Sequence, residues 1–175
     1  IESNGLTTWV AVWESKGDSN VPIGSDGDIF FRRSDDGGTS WNEPLPLNSN
    51  ATADTRRDFA PVLATDKNGT WLVLWGSQGS LGDTLGTDPD ILFVRSIDDG
   101  ITWSEPVPLN TDASSDSAAE GPLWGLRYGV ATDRNGTWIA VWNSQEGSVG
   151  GDFDIRFARS EDNGANWSPP APLNN

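Results

Sequence analysis

Three side chains of types that bind sugars lie in one short segment, at Trp124, Arg127 and Tyr128. An indole or phenol ring offers an apolar face to a sugar ring, and a planar guanidinium pairs well with a carboxylate. Nine of the ten tryptophans recur at fixed positions of an internal repeat, and Trp124 is the exception. We therefore predict that these three residues form a ligand-binding cluster. The alternative is that Trp124 packs between two repeats.

The equivalent stretch of the preceding repeat carries two adjacent arginines, Arg56 and Arg57, followed by Asp58. Two guanidinium groups side by side can neutralise an acidic ligand, and they can equally pair with aspartates nearby. If they neutralise an acidic ligand, both arginines are ligand-binding residues.

A loop rich in glycine and aspartate carries Asp83, Asp88 and Asp90 between two predicted strands. Ca²⁺ takes about six to eight oxygen ligands, which aspartate pairs and loop carbonyls can supply. The spacing differs from that of an EF-hand loop, and solvated turn carboxylates are the alternative interpretation. The three aspartates form a candidate calcium site, and no cofactor is required.

The composition excludes several classes of chemistry. The 175 residues include no cysteine and no histidine, which excludes disulfides, thiol catalysis, imidazole acid–base chemistry and zinc sites of these ligands. A net charge of −15, from 26 acidic and 11 basic residues, disfavours nucleic acid and anionic membrane surfaces as partners. No apolar run approaches the roughly 18 residues of a membrane span. The classes of chemistry that the composition still allows are those of carboxylates and of metal ions bound by oxygen ligands.

An internal repeat positions all of these residues. Three eight-residue segments, beginning at Ser34, Ser96 and Ser160, align without gaps at spacings of 62 and 64 residues. Each follows an apolar run that predicts a strand and precedes a Pro-rich strand ending in Pro-Leu-Asn. Farther upstream lies a Trp-x-x-x-Trp run that is apolar on both faces, which is typical of a strand buried on both sides.

The second strand of two repeats follows a turn at Asn68-Gly69 or Asn135-Gly136. Asn-Gly favours a two-residue hairpin turn in which both residues adopt positive φ. No stretch has helical periodicity, and glycine and proline recur throughout. The sequence therefore predicts an all-β chain whose four-stranded antiparallel sheets pack as the blades of a β-propeller. Its three blades are expected at residues 1–48, 58–110 and 126–175.

The eight-residue segment, Ser-x-Asp-x-Gly-x-Thr-Trp, resembles the Asp box, or BNR repeat, of sialidases and of bacterial sialidase-like repeat proteins. Copy three departs from the motif at Asn166, where threonine or serine is usual, and copy one has Ser40 there. The aspartate is expected to accept backbone N–H bonds, the glycine to adopt a conformation costly for other residues, and the tryptophan to pack beneath the turn. The resemblance implies that Asp boxes lie at the blade periphery, as structural elements. Their residues are Ser34, Asp36, Gly38 and Trp41, then Ser96, Asp98, Gly100 and Trp103, then Ser160, Asp162, Gly164 and Trp167.

For an active sialidase, the resemblance implies three arginines on the substrate carboxylate, an Asp acid/base and a Tyr-Glu nucleophile pair. The Phe/Tyr-Arg-Ile-Pro motif that supplies the first arginine is missing, and Arg33, Arg95 and Arg159 recur in repeat register as structural residues. Tyr128 and Glu120 could pair only if loop geometry brought them together. We therefore expect a non-enzymatic propeller module of an exported bacterial protein, extracellular or at the cell surface, that binds glycans or protein partners or serves as a scaffold. The alternative is a partial or degenerate sialidase-type glycoside hydrolase.

The first blade is expected to be truncated, because only a few residues precede Trp9 where the other repeats have a longer strand. Three blades leave two apolar faces open, which favours association. Two chains related by a two-fold axis would form a six-bladed ring, the number that the resemblance implies. The alternative is that further blades of a longer chain close the ring.

Overall fold

The fold is seen in a computed structural model that describes residues 1–16, 23–52, 55–79, 81, 84–86, 88–111, 113–114, 120, 128–145 and 153–174. These residues form twelve strands and no helix. The described part of the chain therefore has no helical segment with the length and apolar character that a membrane crossing needs. The all-β class is confirmed.

The strands form three antiparallel sheets of four, each with its strands in sequential order. The first sheet contains β1 (Glu2–Ser3), β2 (Trp9–Ser15), β3 (Asp28–Ser34) and β4 (Leu45–Pro46). The second contains β5 (Asp58–Thr65), β6 (Trp71–Ser77), β7 (Asp90–Ser96) and β8 (Val107–Pro108). The third contains β9 (Tyr128–Thr132), β10 (Trp138–Ser144), β11 (Asp154–Ser160) and β12 (Ala171–Pro172). The prediction of four-stranded antiparallel blades is thus confirmed.

Strand β6 is the centre of the described structure, because both of its faces are covered. Trp71, Val73 and Trp75 pack against the first blade, whereas Leu72 and Leu74 pack against the third, and all five side chains have no exposed surface. Successive side chains of a strand point to opposite faces, so an unbroken apolar run is what a doubly covered strand requires. Two hydrophobic cores result, one at each junction between blades.

The first strand of a blade lies at its inner edge. Strand β5 contacts β2 and β9 of the neighbouring blades, whereas the fourth strands β4, β8 and β12 make their substantial contacts within their own sheet. This arrangement brings the blades together at the first strands, as in a propeller. The loops that enter the first strands therefore converge.

The hairpin turns differ from the two-residue Asn-Gly turns that the sequence suggested. The left-handed residues are Lys67 (φ 62°) and Gly69 (φ 98°), whereas Asn68 does not have positive φ. Asp66 and Thr70 are joined by a 3.1 Å backbone hydrogen bond, and the Asp66 carboxylate accepts the N–H groups of Asn68 and Thr70. This aspartate closes a three-residue turn, which moves the strained position from the asparagine to the lysine. The third blade repeats the turn at Arg134 (φ 62°) and Gly136 (φ 95°).

Each Asp box is a closed set of short hydrogen bonds. In the second box, Asp98 accepts the N–H of Thr102 at 2.9 Å and its hydroxyl at 2.6 Å. Ser96 donates its hydroxyl to the same aspartate and accepts the N–H of Gly100, whose φ is 78°. The carboxylate and the hydroxyl thereby satisfy the backbone of the turn between the third and fourth strands.

The two boxes that have another residue in place of Thr102 keep the same bond. The Ser40 hydroxyl donates to Asp36 at 2.6 Å, and the Asn166 amide donates to Asp162 at 2.7 Å. These side-chain hydrogen bonds, with those from the backbone, hold the pKa of each of the two carboxyls at about 2. Serine, threonine or asparagine therefore completes the box, because each side chain places a hydrogen-bond donor within bonding distance of the aspartate.

The boxes also bind the preceding blade through the repeated arginines. Arg33 donates its Nε to the carbonyl of Asp99 at 2.7 Å, and Arg95 donates to the carbonyl of Asn163 at 2.6 Å. Each bond crosses from the third strand of one blade to the box of the next. This contact gives the structural reason why the arginines recur in register with the boxes.

The box tryptophans pack across the same junctions. Trp103 meets Phe31 of the first blade edge to face at 5.8 Å, and Trp167 meets Phe93 of the second blade in the same way at 5.9 Å. Both tryptophans therefore lie against the preceding blade, and Trp103 also lies beside Gly100 of its own turn. The Asp box is a contact between blades and not only a hairpin closure.

The two terminal faces carry residues equivalent to those buried at the junctions. Trp9 and Trp13, which correspond to the fully buried Trp71 and Trp75, are only half-buried on the outer face of the first blade. On the outer face of the third blade Ile139, the counterpart of Leu72, is 41% exposed. Both faces thus have the composition of a blade junction without a neighbouring blade.

Replacing the box glycines tests the packing between blades. Gly38 and Gly164 both have positive φ, but an added Cβ meets only Trp41, at 3.9 Å, in the first box and Leu72, at 2.8 Å, in the third. We expect Gly38→Ala to lower the free energy of unfolding by about 1–2 kcal/mol through backbone strain. Gly164→Ala should lower it by about 1–3 kcal/mol more, because the clash with the second blade adds to the strain.

Equilibrium urea unfolding of the two variants measures the difference, and Gly38→Ala serves as the matched control. Equal losses in the two variants would contradict the packing of the third box against Leu72.

Candidate functional site

The candidate ligand-binding residues that are described lie at the end of the blades opposite the Asp boxes. Ser77 closes β6 and pairs with Asp58, which begins β5, and with Asp90, which begins β7. The box of the same blade starts at the other end, where Ser96 pairs with Trp71. We call the end that contains Ser77, Asp58 and Asp90 the entry face, because the chain enters the first strand there.

The two arginines of the entry face differ in their surroundings. Arg57 binds both carboxylate oxygens of Glu14, at 2.7 and 3.0 Å, and its guanidinium carbon lies 5.4 Å from the centre of the Phe59 ring. This ion pair joins the first and second blades. Arg56 is exposed and has no ion pair with the described residues. Of the two candidates, Arg56 is the one whose charge is open to a ligand.

The hydroxyl of Tyr128 is bound within the junction between the second and third blades. It accepts the N–H of Gly76 at 3.0 Å and contacts the carbonyls of Phe59, at 3.0 Å, and Ala60. Ala60 has φ of 54° in the irregular stretch of β5 where the register with β6 shifts. Burial raises the pKa of Tyr128, even though the bond from Gly76 acts in the opposite direction. The hydroxyl therefore satisfies a β-bulge and is engaged by backbone groups.

Three of the predicted site residues, Trp124, Arg127 and Asp83, lie outside the described residues. The predicted cluster around Tyr128 is therefore seen only through its tyrosine. The conceivable pair of Tyr128 and Glu120 is not formed, because the phenol binds backbone groups of the second blade and the carboxylate binds side chains at a different place.

Three carboxylates meet where the second and third blades join at the entry face. One oxygen from each of Asp88, Asp90 and Glu120 lies within 4.8 Å of the other two. Asp90 is fully buried and Glu120 is 1% exposed, and both oxygens of Asp88 are inaccessible to solvent. We call these three residues the junction carboxylates. Two of them, Asp88 and Asp90, were candidate calcium ligands in the sequence.

The position of Glu120 is fixed by contacts with both blades. Its N–H donates to the carbonyl of Pro89 at 2.9 Å, and its side chain accepts the hydroxyl of Ser144 at 2.8 Å. The Asn110 amide donates to Asp90 at 3.0 Å and to Glu120 at 3.3 Å. Strand ends and a buried amide therefore hold Asp90 and Glu120 together.

The junction between the first and second blades has an equivalent arrangement. Asp58 donates its N–H to the carbonyl of Gly27 at 2.7 Å, as Glu120 does to Pro89, and Asn48 donates its amide to Asp28 at 2.8 Å. Burial raises the pKa of Asp28, the bond from Asn48 lowers it, and the nearby charge of Asp26 raises it. Acidic groups recur at both junctions, so they belong to the repeat.

Sequence reasoning missed Glu120 as a member of this cluster. Asp58 and Glu120 are 62 residues apart, the same spacing as Asp28 and Asp90 or Asn48 and Asn110. That spacing was the available signal. The equivalence is hard to see from the strand pattern. Asp58 is the first residue of β5, whereas seven residues, 121–127, separate Glu120 from β9.

Open grooves also lie beside the Asp boxes, at the opposite end from the entry face. One is lined by Phe93, Arg95 and Trp103 with Gly164 of the next blade, and another by Phe31 and Arg33 with Gly100 of the next blade. Their walls are the structural residues of the boxes. The grooves therefore follow from the repeat and do not involve the candidate ligand-binding residues.

Comparison with known proteins gives two curated relatives, whereas no family model matches the chain. The chain is 30% identical over 156 residues to a sialidase of Micromonospora viridifaciens, with coverage of 79% of this chain and 23% of the relative. It is 26% identical over 154 residues to a sialidase of Clostridium perfringens, covering 81% of this chain and 40% of the relative. The chain thus spans between about a quarter and two-fifths of the length of these relatives.

Solved structures share the blade arrangement. A Hadza microbial sialidase matches with a TM-score of 0.63 and 24% identity, over 94% of this chain and 35% of that chain. The GH93 α-L-arabinofuranosidase of Fusarium graminearum, in complex with arabinobiose, matches with a TM-score of 0.59 and 19% identity, over 95% of this chain and 45% of that chain. At these identities the similarity establishes the fold.

Titration of the single tyrosine tests its burial. The chain contains one tyrosine, so phenolate absorbance near 295 nm reports Tyr128 alone. A raised pKa in the folded state means that the contribution of this group to stability is lost as the pH rises above about 10, the ordinary value for tyrosine. We expect no phenolate signal in the folded protein near pH 10, and a signal that appears together with loss of the fold at higher pH. A reversible titration near pH 10 with the circular dichroism unchanged would contradict the engagement of the hydroxyl.

Proposed function

Because this chain is a three-blade segment of a sialidase-like β-propeller built from Asp-box repeats, we propose that it is a non-catalytic module that binds a carboxylate-bearing glycan at its entry face. The module belongs to an exported bacterial protein and acts outside the cell or at its surface. It also serves as a scaffold, because its blades provide the rigid support for the loops of that face.

The observation that carries the non-catalytic assignment is the engagement of Tyr128. A glycosidase nucleophile must reach an anomeric carbon, with its acid/base partner a few ångströms away. The phenol hydroxyl instead contacts the backbone of Gly76 and Phe59 inside a blade junction. Glu120, the glutamate nearest to Tyr128 in sequence, binds Ser144 and Asn110. Both groups serve the packing of the blades.

Binding of an acidic glycan rests on Arg56. Its guanidinium is exposed at the entry face, whereas the adjacent Arg57 is held by Glu14. A planar guanidinium can bind a carboxylate through two parallel hydrogen bonds, which gives orientation as well as attraction. The strongly negative chain would otherwise repel an anionic sugar. A carboxylate-bearing glycan is therefore the ligand class that Arg56 favours, and Trp124 and Arg127 are proposed to extend the site.

We also propose that further blades of the same repeat cover the two terminal faces. Trp9 and Trp13 on one face, and Ile139 and Phe157 on the other, are equivalent to residues buried at the junctions of this chain. A second copy or additional blades of a longer chain would bury these side chains and close the ring.

A glycan array and a fluorogenic sialoside assay on one sample test the proposal. We expect binding to carboxylate-bearing glycans and no turnover above the buffer rate between pH 4 and 8. Arg56→Ala should weaken binding at least about tenfold, because charge-assisted hydrogen bonds are lost. Arg32→Ala is the matched control, since Arg32 is also partly exposed but pairs with Glu43 on the first blade.

Equal binding by the two variants would refute the role of Arg56. Turnover of the sialoside that Tyr128→Phe abolishes would overturn the non-catalytic assignment. That result would favour the second candidate function, a partial or degenerate glycoside hydrolase, for which the similarity to two sialidases is the supporting observation.

A further inference from the structure

We propose that the junction carboxylates Asp88, Asp90 and Glu120, together with the side-chain oxygen of Asn110, bind one calcium ion between the second and third blades. The proposal is independent of any glycan ligand. It assigns to the entry face a metal site that joins two blades.

The first observation is the convergence of negative charge at a buried place. The three carboxylates each contribute an oxygen to a group within 4.8 Å. Asp90 and Glu120 are almost completely buried, and the Asp88 oxygens have no access to solvent. Bringing several carboxylates together away from water is unfavourable unless a cation or protons neutralise them. The site therefore needs positive charge.

The second observation is that two side chains have oxygens for which the protein provides no partner. Both oxygens of Asp88 lack a hydrogen-bond donor, and so does the Oδ1 atom of Asn110, a residue that is only 1% exposed. The carboxamide of Asn110 lies beside the cluster, because its Nδ2 donates to Asp90 and Glu120. Buried polar atoms in folded proteins nearly always have a partner. Three oxygens without one indicate a ligand that accepts their lone pairs.

The other repeats show what is special about Asn110. In the first blade the Oδ1 of Asn48 accepts the N–H of Ile29 at 3.1 Å, and in the third blade the Oδ1 of Asn174 accepts the N–H of Ile155 at 2.7 Å. The equivalent oxygen of Asn110 makes no such bond. Within the described residues, the second blade therefore leaves this oxygen unbonded beside the group of three carboxylates.

The donor set selects among metals. All of the proposed ligand atoms are oxygens, three from carboxylates and one from an amide, which is the chemistry of a hard cation. Ca²⁺ accepts irregular oxygen cages, whereas Mg²⁺ demands near-octahedral geometry and retains its waters. The ligands come from loops and strand ends of two sheets, so an irregular cage fits better. Because Glu120 bridges to Ser144 of the third blade, the ion would tie that blade to the second.

Thermal unfolding of the full chain, freed of metal with EGTA, provides the test. We expect added CaCl2 at about 100 times its Kd to raise the Tm by about 5 to 10 °C. Asp88→Asn should abolish this rise. It removes no hydrogen bond within the protein, so the variant should fold in EGTA with a Tm no lower than that of the parent. Glu120→Gln should abolish the rise as well.

Glu43→Gln is the matched control, because it removes the same charge from a side chain that is 94% exposed. It should keep the full calcium response, and an equal concentration of MgCl2 should have a much smaller effect on the parent chain. The proposal fails if the parent Tm does not respond to calcium. It fails equally if Asp88→Asn and Glu43→Gln respond alike, or if magnesium and calcium act equally, because general screening of the negative chain would then explain the rise.

Discussion

The burial of β6 on both faces is the constraint on which the rest of the described structure depends. An unbroken run from Trp71 to Trp75 is stable in water only between two other sheets, since each face carries large apolar side chains. A sheet covered on both sides needs neighbours with complementary faces, and the repeat supplies them in the first and third blades. Face-to-face packing of successive sheets leads to a propeller rather than to a two-layer sandwich.

The two ends of each junction use aspartate in different ways. At the Asp-box end, Asp98 is saturated by hydrogen bonds from its own turn, and Arg33 ties the turn to the preceding blade. At the entry face, Asp88 has buried oxygens without any donor. The same residue type therefore closes a turn at one end and remains available for a ligand at the other. This asymmetry supports the proposal that ligands bind at the entry face.

Much of the fold could be predicted from the sequence, because repetition fixes both the strands and their register. The box bonds of Asp36, Asp98 and Asp162 follow from one local pattern and hold in all three copies. The predicted hairpin conformation was wrong in detail. The Asp66 carboxylate accepts backbone N–H groups of the turn, and the left-handed residue is Lys67 rather than Asn68.

Side chains that act across a junction were harder to predict. The Tyr128 hydroxyl reaches a bulge almost 70 residues earlier, and Glu120 joins Asp88 and Asp90 although an insertion separates it from its own strand. Those contacts depend on how neighbouring blades dock, and residue spacing within one repeat does not contain that information. The difference between the two adjacent arginines also depends on blade docking. Arg57 pairs with Glu14 of the neighbouring blade, whereas Arg56 is exposed.

Hydrogen–deuterium exchange of the intact chain measures the central constraint most directly. If blade packing is what stabilises the fold, the amides of β6 (Trp71–Ser77) should exchange most slowly, through global unfolding, while β2 and β10, each with one open face, exchange faster. Protection of β2 or β10 equal to or greater than that of β6 would contradict the account, because the doubly covered strand would then not be the stable centre of the structure.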